Sequence, residues 1–131
     1  MLAAPQAVEA KLERVYANEE LGRLDAAIAE LAELLPQSQD PKIQALLHLR
    51  LGRLCLSAQH LDAALSHLDQ AITLGGDQWL ALVLRGTVKQ TLGRSADSEI
   101  DFDAAVALRP ESAEAVRVLR QTAPLRETTV P

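Results

Sequence analysis

Three histidines and one cysteine are the side chains with the plainest claim to metal or nucleophilic chemistry, and their spacing argues against most of it. His60 and His67 fall two helical turns apart, so they cannot share an ion as an i, i+4 pair on one helix would. With His48, they are read as surface or turn residues. Cys55, as a lone cysteine, permits no intrachain disulfide and no thiolate cluster. It sits in an apolar helical stretch without an evident base beside it, the setting of an inert core thiol rather than a nucleophile. Neither a GxGxxG nor a GxxxxGK phosphate loop occurs, and Ser, Asp and His show no triad-like context. The chain is therefore expected to be a non-enzyme with no cofactor and no metal.

What remains is charge set beside apolar surface. Arg50 and Arg53, at i and i+3 and flanked by Leu46, Leu49 and Leu56, combine a cationic edge with bulky apolar groups, as interface hot spots often do. Arg85 and Lys89 fall on a helix face that should meet the segment ADSEIDFD, where Asp97 and Asp101 lie one turn apart. Either the basic heads pair with those carboxylates, or the long stems lie on apolar surface with their heads in water. The whole chain of 131 residues is acidic, with a formal net charge of −5, and no basic face offsets this. Binding along nucleic-acid phosphates is excluded on that ground.

These residues need elements to hold them. Hydrophobic content of 48% with only 2% aromatics describes a core of Leu and Ala, which favours helix over strand. Val8, Leu12, Val15 and Tyr16 give a first amphipathic helix, with Pro5 suited to its opening turn. Gly22 ends it, and Leu24, Ile28, Leu31, Leu34 and Leu35 stripe the second. After the loop PQSQDP, helices are expected over about 42–57 and 61–74, then, past GGD, over 79–92 and 95–108, and finally over about 112–121. The tail from 123 to 131 reads as flexible. No stretch approaches the 18 apolar residues of a membrane span, and the amino terminus lacks the basic and apolar regions of a signal peptide. A cytoplasmic chain without direct membrane insertion is expected, unless it is an excised domain that has lost a leader or anchor.

Self-comparison converts the list into a repeat. Gly52 and Gly86 lie 34 residues apart, and the same shift carries Ala64 to Ser98, Leu68 to Phe102 and Ala71 to Ala105. A shift of 37 carries Ala27 to Ala64 and Leu31 to Leu68, the extra three residues falling in PQSQDP. One helix pair cannot bury both of its faces, so each copy covers what its neighbour leaves exposed. With Gly86, Gly93, Ser98, Phe102, Ala105 and Pro110 in the third copy, the chain resembles the tetratricopeptide repeat family. The second copy departs from that pattern, with Gln59 for the turn glycine and Gly76 for the proline. The first has Val15 at a small position and polar Arg14 and Asn18 at apolar ones, which predicts a loosely held leading helix.

The resemblance implies an all-α, right-handed solenoid of antiparallel helix pairs, about seven helices in all. Residues 1–122 would form a single domain with repeats at about 8–44, 45–78 and 79–112 and a capping helix at about 112–122, where Arg120 replaces the small residue a further repeat would need. It also implies a concave groove lined by the leading helices. In this numbering, the groove takes Glu9, Leu12, Glu13, Tyr16, Glu19 and Glu20 from the first copy. The second gives Leu46, Leu49, Arg50, Arg53 and Leu56, and the third gives Leu80, Val83, Leu84, Thr87 and Gln90. The Lys and Asn residues with which some members hold a terminal carboxylate are missing, Leu12, Tyr16, Leu80 and Leu84 standing there instead. The expected function is binding of a protein or peptide partner, as an adaptor or chaperone-like module. The alternatives are a scaffold that self-associates as a homo-oligomer, or a regulatory subunit of an enzyme complex.

Overall fold

The computed structural model describes the backbone of residues 5–128 and the side chains of residues 9–121. The side chain of Val8, at the head of the first predicted stripe, and residues 129–131 of the predicted tail lie outside these limits. Seven α-helices and no strand occur among the described residues, in two compact units, Met1–Asp77 and Gln78–Pro131.

The first unit holds α1 (Pro5–Glu20), α2 (Leu24–Leu34), α3 (Pro41–Ser57) and α4 (Leu61–Thr73), with a short 3-10 turn at Leu35–Gln37. On α2, Ala27, Leu31 and Leu34 share one face by the 4- and 3-residue steps of a helix and are buried. They pack with Val15 of α1 and with Leu47, Leu51 and Leu54 of α3. Val15 is only 1% exposed, so its branched side chain fills the α1–α2 contact in which a loose first helix was expected. Asp40 starts α3 by accepting the Lys42 N–H at 2.9 Å, and Pro41 supplies a first-turn residue that needs no such acceptor. Between α3 and α4 the backbones come close, since a Cβ at Gly52 would stand 2.6 Å from Leu68.

The second unit holds α5 (Gln78–Thr91), α6 (Ser95–Leu108) and α7 (Ala113–Thr128), with a 3-10 turn at Pro110–Ser112. Val83, Phe102, Ala105 and Val116 form its core, with Trp79, Leu82, Val106 and Leu119 packed against them. The close approach recurs here, a Cβ at Gly86 falling 2.9 Å from the Phe102 ring. Trp79 donates its indole N–H to Ser112 Oγ (3.0 Å), and the Arg109 guanidinium lies 4.8 Å over its ring. Ala64, Ala71, Ser98 and Ala105, which with Ala27 occupy the recurring small positions of the repeat, are all buried.

The turns between paired helices share one construction. Arg23, His60 and Arg94 each donate their N–H to the carbonyl five residues back, and the residue before each has positive φ: Gly22, Gln59 and Gly93. This left-handed closure satisfies the last carbonyls of each leading helix. Gln59, at φ 66°, takes it without being glycine.

One boundary differs from expectation. Helix α7 continues to Thr128, past residue 122, where the capping helix was expected to end. Pro124 has no N–H to offer the Arg120 carbonyl four residues back. The buried Gln90 side chain donates to that carbonyl instead, at 2.9 Å, so the acceptor that the proline leaves unserved has a partner.

Candidate functional site

In the first unit, two leading helices present a common face. On α1, Leu12, Tyr16 and Glu19 follow helical spacing, and on α3 so do Leu46, Arg50 and Arg53. An ion pair between Arg53 and Glu19, 2.9 Å long, ties the two stripes side by side. Tyr16 is 60% exposed and Leu46 44%, whereas Leu12 is partly buried against the core and Arg50 is half-buried. Glu9, Glu13 and Glu20 stay exposed on α1. One glutamate of α1, Glu19, thus meets one arginine of α3, Arg53. Ile43, 41% exposed and one turn before Leu46, extends the apolar stripe. Its i, i+3 relation to Leu46 was the signal available in the sequence.

Three of the residues expected in the groove are buried. Leu49 and Val83 are buried, because α3 packs against both α2 and α4, and α5 against both α6 and α7. Gln90 is likewise interior, committed to the Arg120 carbonyl. Leu56, Leu80, Leu84 and Thr87 are half-buried, the Thr87 hydroxyl donating to the Val83 carbonyl at 2.9 Å.

The choice left open for Arg85 and Lys89 is decided in favour of pairing. Arg85 donates to both oxygens of Asp101 (2.9 and 2.8 Å), and Lys89 stands 3.0 Å from Oδ2. Asp101 is 2% exposed. Burial by itself raises its pKa, but the hydrogen bonds and charges of Arg85 and Lys89 outweigh that and hold the carboxyl below its ordinary range. In the same unit, Arg120 lies 5.7 Å over the Phe102 ring and ion-pairs with Glu99 and Asp103. The cap thus carries its charge on an aromatic face, with carboxylates at the rim.

Potential chemical groups are differently placed. The Cys55 thiol is buried, and desolvation, with the nearby Asp25 charge, pushes its pKa up, away from a reactive thiolate. His60 contacts Asp25 at 2.9 Å in the first unit. His48 and His67 meet across α3 and α4, with Nδ1 atoms 3.0 Å apart. Among the described residues, no group of three or more His, Cys, Asp and Glu could hold a metal ion. Nor is any described helix long and apolar enough to cross a membrane.

A family model described as a tetratricopeptide repeat-like domain matches residues 3–122. The chain belongs to the tetratricopeptide repeat-like family. Its recurring Gly52–Leu68 and Gly86–Phe102 approaches are the repeat-like packing seen at atomic level. The ancillary SecYEG translocon subunit of Escherichia coli (strain K12) is 31% identical over 99 residues. That match covers 74% of this repeat-like chain, which spans 47% of the relative.

Proposed function

We propose that this chain is a non-catalytic protein–protein interaction module that holds an amphipathic segment of a partner on the α1–α3 face. The observation that carries this reading is the exposure of Tyr16 and Leu46 on stripes joined by the Arg53–Glu19 pair. An aromatic and an aliphatic anchor flanked by cations have the composition of a binding hot spot. Membership of a repeat-like family favours protein partners, and a relative named as an ancillary translocon subunit is itself a component of a protein assembly. Each Leu-sized anchor contributes about 1.5–3 kcal/mol when buried, so two or three support roughly micromolar affinity, near −8 kcal/mol, after the costs of association. The segment would place an acidic residue against Arg50 and Arg53.

The test is a Tyr16→Glu, Leu46→Glu double variant combined with Arg50→Glu. All three side chains lie at the surface or only partly beneath it, so the urea midpoint should move little, each change being worth about 0.5 kcal/mol or less. Crosslinking in the native cell should then lose the partner captured by the parent protein. Full retention of that partner would refute this face. Loss of a concentration-dependent rise in light scattering, with no partner in either sample, would replace the module by a self-associating scaffold.

A further inference from the structure

Resting on the reading of the α1–α3 face as a docking surface, we propose that Arg50 alone selects the partner, by binding one carboxylate of the segment that lies there. Two arginines stand on this stretch of α3, and their circumstances differ. Arg53 is already neutralised by Glu19 at 2.9 Å. The Glu19 side chain is only 15% exposed, so a ligand that drew Arg53 away would leave a covered carboxylate without its cation, which is costly. Arg50 is half-buried, yet among the described residues its guanidinium has no hydrogen-bond or ion-pair partner. A cation partly withdrawn from water and left unpaired gains more from an incoming anion than one already matched. The planar fork of its N–H groups fits a carboxylate through two parallel hydrogen bonds.

The neighbours of Arg50 define the rest of the ligand. Leu46, 44% exposed, lies one turn before it, and Ile43, 41% exposed, lies three residues further back. At about 1.5 Å per residue, those steps measure about 6 Å and about 4.5 Å along the helix. A partner helix laid alongside α3 matches them with an acid about one turn from an apolar side chain and about two turns from a second. Glu9, Glu13 and Glu20 stay exposed on α1, and their charge opposes a dianion. A single carboxylate therefore suits this face better than a phosphate group, which draws on a cluster of arginines.

The experiment starts from a phage-displayed random library of peptides about 14 residues long, about four helical turns, selected on the parent protein. The strongest binder released by the Tyr16→Glu, Leu46→Glu variant is synthesised with an amidated C-terminus, so that no terminal carboxylate supplies the charge. It should carry an Asp or Glu one turn from an apolar residue. Replacing that acid by its amide should weaken binding to the parent protein and to Arg53→Gln by about tenfold, the worth of a charge-assisted hydrogen bond. The same replacement should leave binding to Arg50→Gln unchanged. A bound peptide without such an acid, or an acid whose replacement costs as much in Arg50→Gln as in the parent, would overturn the role of Arg50 and leave the docking face intact. If the Tyr16→Glu, Leu46→Glu variant releases no selected peptide, the face itself fails, and the role of Arg50 with it.

Discussion

Gln59 stands where the other two turns have Gly22 and Gly93, and it adopts the same left-handed backbone at φ 66°. A residue with a Cβ pays about 1 kcal/mol or more for that conformation. Gln59→Gly should therefore stabilise the protein by about 0.5–1 kcal/mol, once glycine's freer unfolded chain is counted, as read from the urea midpoint. Asp101 illustrates the opposite case, a side chain whose surroundings make it hard to replace. Asp101→Asn would leave Arg85 and Lys89 facing a neutral amide. A loss of about 2–3 kcal/mol is expected at pH 7, below the usual cost of breaking a fully buried pair because both basic groups keep partial contact with water. The folded carboxyl titrates below its ordinary value of 3.8, so its stabilisation is complete above that pH and declines as pH falls through the folded value. The gap between parent and variant midpoints should accordingly hold steady near neutral pH and narrow as the pH is taken below 3.8. The charge match was legible in the sequence, but the choice of aspartate needed the helix phase. Asp101 lies on the buried stripe with Ser98, Phe102 and Ala105, whereas Asp97 falls one residue off it and is exposed. His48 and His67 were harder to connect, being 19 residues apart on different helices. Their signal was the neighbouring Gly52–Leu68 approach, which sets the α3–α4 register.

Between paired helices, a glycine faces a bulky partner in two of the three copies. Gly86→Val would drive methyl groups into the Phe102 ring, where even a Cβ falls at 2.9 Å. The expected cost is about 1–3 kcal/mol, and Phe102→Leu in the same chain should recover part of it, a positive coupling in a double-mutant cycle. Simple additivity would show that α5 and α6 do not meet through this pair. Helix order and most boundaries were legible because caps, glycines and prolines punctuate a strong 3.6-residue pattern. The end of α7 was not, since an interior proline ordinarily ends a helix and the rescuing donor, Gln90, comes from α5. The same limit explains Leu49 and Val83. An apolar residue on a leading helix reads equally as groove or core until the packing partners on both sides of that helix are known.

For the whole molecule, the repeat periodicity was the most informative signal, since a 34-residue recurrence implies paired helices before any contact is seen. A partner leaves no comparable trace in one sequence, because recognition depends on which apolar side chains stay uncovered, as Tyr16 and Leu46 do. Most of the helix packing joins neighbours in sequence, α1 with α2, α2 with α3, α3 with α4, and α5 with α6, whereas α7 packs more on α5 than on the adjacent α6. Such contacts close only short loops of chain, so little entropy is lost before the packing is gained. Sequence-local pairing of this kind places a helical protein among chains that fold in microseconds to milliseconds. A newly made chain could thus bury the α1–α2 contact while later helices are still being synthesised, limiting the time its apolar stripes face water.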